Sequence, residues 1–265
     1  MLTFDMNNTY KGLGVSRGLD RGVQVYYDNN LLLEEGMGLG ACALQTNGYT
    51  YFATVKTIIK SGEGKFEVFL EIDQQLVWNI LGVNARLITR MLEKLVTNIY
   101  MKQEKRQKSY LKLGNLLRKV FRIRSRFITV AQQAEVVMVV AVGNNLVDID
   151  LSLKTQVKDG NRKFFVMNEL GGNHFNIGLV NGAVRPPPTG WQKIEENVEL
   201  YSRKFKLAFS MAEKQIPKNV VSTLNWGRES ISDSYCWAGF ESELSWNTQQ
   251  FDHYKYVIKF KEVSL

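Results

Sequence analysis

The sequence predicts an α+β protein, mainly antiparallel β (a sandwich, barrel or large curved sheet), with a helical insertion around residues 84–120. Many segments alternate apolar and polar residues with period two, and Asn-Gly pairs stand next to such segments. One central stretch changes to helical spacing instead. No regular alternation of strands with helices occurs, so a parallel sheet is not expected. A chain of 265 residues that is 45% hydrophobic can bury a large core, and a single large domain is the simplest reading.

The first region, residues 1–82, is predicted to be a β meander. Asn47-Gly48 lies between β-branched and aromatic flanks, which is typical of a two-residue hairpin. Residues 65–72 alternate apolar side chains with Glu67 and Glu71, as a half-buried strand does. Asp73 is an acceptable helix N-cap, so a short helix is expected over the following residues, up to Gly82.

A glycine pattern in this region raises the possibility of a nucleotide site. Gly36, Gly38 and Ala41 fit G-x-G-x-x-G/A, but that motif requires a helix directly afterwards and an acidic residue about 20 positions on. Only five residues separate Ala41 from the Asn-Gly pair, and no acid occurs between Gly36 and Glu63. A dinucleotide site is therefore not predicted, and the glycines are read as positions of a bulge or close strand approach.

The central region, residues 83–125, is predicted to be a basic helical segment. Apolar residues recur at helical spacing after Asn84, a plausible N-cap. Ten basic residues and one acid fall between Lys102 and Arg126, a sum of +9 against +8 for the whole chain. This segment could grip nucleic acid, an anionic membrane or an acidic protein, or be a solvated helical surface. The candidate anion-binding residues are Lys112, Arg118, Lys119 and Arg122.

Residues 126–265 are predicted to be β-rich. Residues 146–154 alternate cleanly, and so does the last strand, where Lys255, Lys259 and Lys261 oppose an apolar face. The first prolines of consequence are Pro186, Pro187 and Pro188, because the preceding 185 residues contain none. They indicate a surface crossover, a domain boundary or a polyproline segment for a recognition module.

The strongest candidate site lies in this region. If residues 233–246 form one strand, Asp233, Tyr235, Trp237, Glu241 and Glu243 share a face. Acids beside flat aromatic surface suit a small polar ligand, sugar-like in character. Carboxylates two residues apart on a strand are about 7 Å apart, within the range for inverting glycoside hydrolysis, which makes Glu241 and Glu243 the candidate catalytic pair. The alternative is a solvated face paired with the lysines of the last strand.

Two further candidate ligand-binding residues, Trp226 and Arg228, fall in a stretch that reads as a loop. Asp148 and Asp150 alternate, but no other ligand stands near them, so no metal site is predicted. No P-loop, zinc-peptidase or nucleophile-elbow motif occurs. No cofactor is predicted, and the sequence does not decide whether the protein is an enzyme.

The remaining expectations concern location and assembly. No secretory signal and no apolar run long enough for a membrane span are visible, and two cysteines are too few for a disulfide framework. We therefore expect a cytoplasmic protein. The functional alternatives are ligand binding or conversion on the acidic and aromatic sheet face, an interaction module acting through residues 102–126, or a structural subunit of a larger assembly.

Overall fold

A computed structural model describes residues 2–5, 22–27, 30–32, 38–80, 83–84, 124–143, 145–157, 162–232 and 235–263. These residues form strands, turns and irregular connections, and none of them is helical. The strands within them are β1 (Leu2–Asp5), β2 (Gln24–Tyr27), β3 (Asn30–Leu31), β4 (Ala41–Thr46), β5 (Tyr49–Gly62), β6 (Lys65–Ile80), β7 (Val83–Asn84), β8 (Arg124–Gly143), β9 (Leu146–Thr155), β10 (Lys163–Gly171), β11 (Ile177–Val180), β12 (Ala183–Arg185), β13 (Gly190–Lys193), β14 (Val198–Ser202), β15 (Leu207–Gln215), β16 (Val220–Ser232), β17 (Tyr235–Trp246) and β18 (Gln250–Glu262). No helix capable of crossing a membrane is found in this described part.

Fifteen of these strands build one antiparallel sheet. Its order is β12-β11-β14-β15-β18-β9-β8-β6-β5-β4-β10-β17-β16-β13, with β7 paired to β6. The sheet folds back on itself, because side chains from distant parts of this order touch. The ring centroids of Phe209 on β15 and Phe240 on β17 are 5.3 Å apart, and the Tyr256 hydroxyl of β18 donates to Asn168 Oδ1 of β10 at 3.2 Å.

We call the two packed parts the first layer (β11, β14, β15, β18 and β9) and the second layer (β4, β10, β17 and β16). The main core lies between their inner faces, where alternate residues of each strand are buried. The predicted alternation on β9 and β18 is confirmed, since Val147, Ile149, Tyr254 and Tyr256 are almost fully buried. The outer face of the second layer carries the other set of side chains, which includes the candidate site.

Tight turns set the register of several strands. Asn47 and Gly48 have φ of 53° and 75°, so both adopt the left-handed conformation of a type I′ hairpin between β4 and β5. The predicted hairpin is thus confirmed.

Of the two glycines in the G-x-G-x-x-G/A pattern, the structure describes Gly38. Its backbone lies close to Val23, and a Cβ on Gly38 would be 2.8 Å from the Val23 oxygen. Close strand approach, rather than phosphate binding, accounts for this glycine.

The small sheet β1-β2-β3 joins the main core from the side. Val25 and Leu32 are fully buried among the core side chains. Backbone hydrogen bonds link the neighbouring residues to β10: Gly171 N donates to Leu32 O at 2.7 Å and Glu169 N to Gly38 O at 3.1 Å. The last residues of β10 are therefore held on both sides.

The predicted α+β class is wrong for the described residues, which are all β. The short helix expected after Asp73 is instead the last part of β6. Asp73 does not cap a helix, because its carboxylate accepts hydrogen bonds from Thr54 Oγ1 at 2.9 Å and Lys56 Nζ at 2.5 Å on β5. Asn84, the predicted N-cap of the helical insertion, pairs with Asn79 as part of β7. No helical insertion is seen, and residues 85–123, where most of it was predicted, lie outside the described residues.

The three prolines connect the two ends of the large sheet. They follow β12, the first strand of the order, and precede β13, the last. Thr189 continues the connection through a parallel bridge to Arg228 of β16. The segment is therefore a crossover between strands of one sheet.

Candidate functional site

The candidate site lies on the outer face of the second layer, where three strands bring acidic side chains together. Glu229 of β16 is directly opposite Trp237 of β17, and Asn225 is directly opposite Glu241. Glu169 of β10 is opposite Gly239, between these two rows. We call the set Glu169, Glu229, Trp237, Glu241 and Glu243 the acidic-aromatic face.

Two glycines lie at the middle of this face. Gly239 is paired with Glu169 on one side and with Gly227 on the other, and Gly227 is followed in the row by Trp191 of β13. A Cβ on Gly239 would lie 2.1 Å from the Asn168 oxygen, so the neighbouring backbone excludes any side chain there. The row from Glu169 to Trp191 therefore has no side chains at its centre.

The carboxyl groups of this face are withdrawn from water. Glu169 is 1% exposed and Glu241 is 9% exposed, and Glu229 is partly exposed at the edge. Burial raises the pKa of Glu241 to about 8, and the charges of Glu229 and Glu243 act in the same direction. Asn225 opposes this shift, because its Nδ2 donates to Glu241 Oε1 at 3.4 Å.

The carboxyl groups of Glu169 and Glu229 also have raised pKa values. Burial raises the pKa of Glu169 well above its usual value, and the charges of Glu229 and Glu241 add to the effect. Burial also raises the pKa of Glu229, although the indole groups of Trp237 and Trp191 partly offset it. Glu241 therefore favours the protonated form near neutral pH, and burial shifts the pKa values of Glu169 and Glu229 in the same direction.

Two polar atoms of the face are buried without a hydrogen-bond partner of good geometry among the described residues. They are Glu169 Oε2 and Trp237 Nε1. The Trp237 indole lies near enough to Glu229 to lower the pKa of that carboxyl, but it completes no well-formed hydrogen bond. Buried polar groups are normally paired, so Glu169 Oε2 is an exception among the described residues.

Glu243 differs from its neighbours because it has a cationic partner. Lys163 Nζ of β10 lies 2.6 Å from Glu243 Oε1, and the side chain is partly exposed. Glu241 and Glu243 both belong to β17, so the prediction that this stretch is extended is confirmed. The lysines of the last strand are not their partners, since β18 pairs with β15 and β9.

The structure separates two of the predicted ligand-binding residues, Trp226 and Arg228, from this face. Trp226 belongs to the core, where its ring packs closely over Gly178 of the first layer. Arg228 is on the same side of β16, and its Nε donates to Cys236 Sγ at 2.9 Å. Both lie within β16 rather than in a loop. Tyr235 begins β17, and Asp233 lies outside the described residues.

The predicted anion-binding residues Lys112, Arg118, Lys119 and Arg122 also lie outside the described residues. Of residues 102–126, the structure describes only the last three, which begin β8. An anionic partner for this segment stays a prediction.

No group of three or more potential metal ligands converges anywhere in the described ranges. The alternating pair on β9 has ordinary ionic partners instead. Asp148 pairs with Lys214, and Asp150 pairs with Lys255 at 3.3 Å and His253 at 3.1 Å.

Sequence reasoning missed Glu169, Glu229, Asn225 and Lys163. Of these four, only Glu229 could have been inferred from local sequence. It is three residues from Trp226, so in a strand the two side chains point to opposite faces of the sheet. The contribution of Glu169 depends on the pairing of β10 with β17, which no local pattern encodes.

Comparisons with known proteins add little to this picture. No protein-family model matches the chain, and no curated protein matches it. Among solved structures, the chain is similar to an alpha-mannosidase from Enterococcus faecalis V583, with 10% sequence identity and a TM-score of 0.41. The similarity covers 90% of this chain and 27% of the mannosidase chain. A likeness this distant carries no argument about fold or function.

Proposed function

We propose that the acidic-aromatic face binds a small, neutral, polyhydroxylated molecule such as a sugar. The observation that carries this proposal is the carboxyl of Glu241, buried near Glu229 and facing Asn225 at 3.4 Å, with its pKa raised to about 8. Strongly perturbed carboxyl groups that cluster on one surface are candidates for functional sites.

The chemistry of the face favours a neutral ligand. Protonated Glu169 and Glu241 can each donate one hydrogen bond and accept others, which matches hydroxyl groups that do both. An anionic ligand would meet three acidic groups, and a cationic ligand would meet carboxyls that hold their protons. Glu169 Oε2, which has no hydrogen-bond partner among the described residues, offers one more acceptor.

Trp237 adds apolar surface to these polar groups. Its ring is flat and is 4% exposed, and it lies on the same strand face as Glu241. Amphipathic rings of this kind provide contact area for a ligand and one N–H for orientation. Gly239 lies between Trp237 and Glu241 on β17 and places no side chain between them.

We also propose that a bound glycoside is hydrolysed with inversion. Glu241 gives its proton to the glycosidic oxygen as the bond to the anomeric carbon breaks. Glu243, which forms an ion pair with Lys163, takes a proton from the water that attacks that carbon. Two carboxyls about 7 Å apart leave room for this water.

The test uses the whole protein and a panel of neutral monosaccharides, oligosaccharides and polyols. Binding is followed by saturation-transfer NMR and by tryptophan fluorescence. Trp237→Ala and Glu241→Ala are expected to weaken binding about tenfold or more, because each removes a buried group that contacts the ligand. Asp252→Asn is the matched control, because Asp252 lies at an exposed position of β18, and it should leave ligand binding unchanged.

Glu241→Gln separates binding from conversion. The amide keeps the shape of the protonated acid and one donor, so binding should persist, whereas it cannot release a proton, so hydrolysis should stop. Wild-type affinity should decline above about pH 8 while that of Glu241→Gln does not. The proposal fails if no neutral polyol binds at about 10 mM, or if Trp237→Ala and Glu241→Ala bind as the wild type does.

A further inference from the structure

Apart from the acidic-aromatic face, the structure contains a cleft on the opposite side of β16 from Glu229. Its volume is about 580 Å³, and it is lined by Arg203, Lys204, Arg228, His174, Asn173 and Asn176, with Ile177 as its apolar residue. Arg203 and Lys204 come from the turn between β14 and β15, and the asparagines and His174 follow β10. Together with Arg228 of β16, three segments of chain thus meet at this cleft.

The charge of this cleft is positive. Three cationic side chains line it and no acidic residue does. None of the three forms an ion pair with another residue in the part of the chain that the structure describes, whereas Lys56, Lys163, Lys214, Lys255 and Lys261 all do. Unneutralised cations that converge in a concave site attract an anion.

The cleft is also held in place by packing. Phe205 is buried and stacks on Phe175, with ring centroids 6.2 Å apart. Lys204 Nζ lies 4.9 Å from the Phe205 ring centroid, and the His174 ring meets the same phenyl edge-on at 5.3 Å. One buried aromatic ring therefore positions two of the polar residues that line the cleft.

Arg228 is fixed from the other side. Its Nε donates to Cys236 Sγ at 2.9 Å, which orients the guanidinium, and the two Nη groups are further donors of the same side chain. Arg228 is partly exposed, as a binding residue must be. The arginine that the sequence suggested as a ligand-binding residue therefore belongs to a different site from the acidic-aromatic face.

We propose that this cleft binds the phosphate or sulfate group of a small molecule. A planar carboxylate is satisfied by one bidentate arginine, but a tetrahedral oxyanion accepts hydrogen bonds from several directions. Here the donors come from the β14–β15 turn, from β16 and from the segment after β10. The volume exceeds that of a free ion, which favours an ester of a small alcohol or sugar. This inference does not depend on the function proposed for the acidic-aromatic face.

The experiment measures binding to the whole protein by calorimetry and by NMR shifts of the backbone amides. The probes are inorganic phosphate, inorganic sulfate, a hexose 6-phosphate and acetate, all at equal ionic strength. The double variant Arg203→Gln/Lys204→Gln removes two cations from the cleft. Lys154→Gln/Lys259→Gln removes two cations from exposed positions elsewhere, so the net charge of the two variants is equal.

We expect wild-type protein to bind the hexose phosphate most tightly, with shifts centred on residues 173–176 and 203–205. Affinity should fall about tenfold or more in the cleft variant and less than about twofold in the control, since each lost contact is a charge-assisted hydrogen bond. Tighter binding of free phosphate or sulfate than of the ester would still support the oxyanion site and identify the free ion as its ligand.

Three outcomes would overturn the proposal. They are no binding of any tetrahedral oxyanion at about 10 mM, equal losses in the two double variants, and acetate binding as tight as phosphate. Arg228→Lys provides a second variant whose charge is unchanged. It should weaken binding through loss of the fork geometry, and unchanged affinity would remove Arg228 from the site.

Discussion

Asn225 and Glu241 lie directly opposite each other on β16 and β17, and the Asn225 amide donates to the Glu241 carboxyl at 3.4 Å. Asn225 is a neutral partner, and Glu241 forms no ion pair among the residues that the structure describes. Glu243, two residues further, has Lys163. The two acids of one strand are therefore placed in opposite electrostatic surroundings, which is the arrangement that separates acid and base roles.

The stability of the protein should decline with rising pH because of Glu241. Its pKa rises from 4.5 to about 8 on folding, so the folded state binds the extra proton between these values. The stabilisation is fully present below about pH 4.5 and is lost as the pH rises through about 8, by up to about 1.4 kcal/mol per pH unit. Denaturant titrations of wild type and Glu241→Gln at several pH values measure the slope.

Glu241→Gln should flatten that slope, although Glu169 and Glu229 keep part of it because their pKa values are raised too. Asp252→Asn on the exposed side of β18 serves as the control and should keep the wild-type slope. Identical slopes in wild type and Glu241→Gln would show that Glu241 ionises normally in the folded protein.

Gly239→Ala should destabilise the second layer by about 3 kcal/mol or more. Its Cβ would lie 2.1 Å from the Asn168 oxygen, so β10 and β17 would have to separate. The control is Gly62→Ala, where the new Cβ would be at 3.7 Å, an ordinary contact. Chemical denaturation compares the two, and a cost at Gly239 no larger than at Gly62 would contradict the close pairing.

Phe209 and Phe240 should be energetically coupled across the two layers. Their rings meet edge-on with centroids 5.3 Å apart, and both are buried. A double-mutant cycle with Phe209→Leu and Phe240→Leu should give a coupling of about 0.5 to 1.5 kcal/mol in the free energy of unfolding. Strict additivity of the two substitutions would argue against this contact between layers.

Asn168 should contribute more than its neighbour Tyr256 to the buried polar network. The Asn168 Oδ1 accepts hydrogen bonds from Gly40 N at 2.9 Å and from Tyr256 Oη at 3.2 Å. Tyr256→Phe removes one bond and should cost about 1 kcal/mol, whereas Asn168→Ala leaves two buried donors unpaired and should cost more. Thermal unfolding of both variants tests this order, and a larger loss in Tyr256→Phe would reverse the assignment.

Sequence alone predicted those strands whose burial pattern is local. Alternation at β9, β18 and residues 65–72 marks one buried face, and the Asn-Gly pair at 47–48 specifies its own turn. It failed at Asp73, where a good N-cap residue is used instead by Thr54 and Lys56 on the neighbouring strand. Local propensity cannot reveal a partner 17 to 19 residues away that competes for the same carboxylate.

The candidate site was only half predictable for a related reason. Trp237, Glu241 and Glu243 share one strand, so their common face follows from period-two geometry. Glu169 reaches the same face through the pairing of β10 with β17, across about 70 residues of sequence. Trp226 and Arg228 are predicted from the sequence to be ligand-binding residues of a loop. As strand residues they have the opposite parity to Glu229 and face the core side.

The proline connection between β12 and β13 has a consequence for solubility. These two strands end the large sheet, they are three and four residues long, and they are tied to each other. Edge strands this short, next to prolines that lack a backbone N–H, offer few free hydrogen-bonding groups to which another chain could add a strand. Replacing the prolines would test whether this connection limits the addition of strands from other chains.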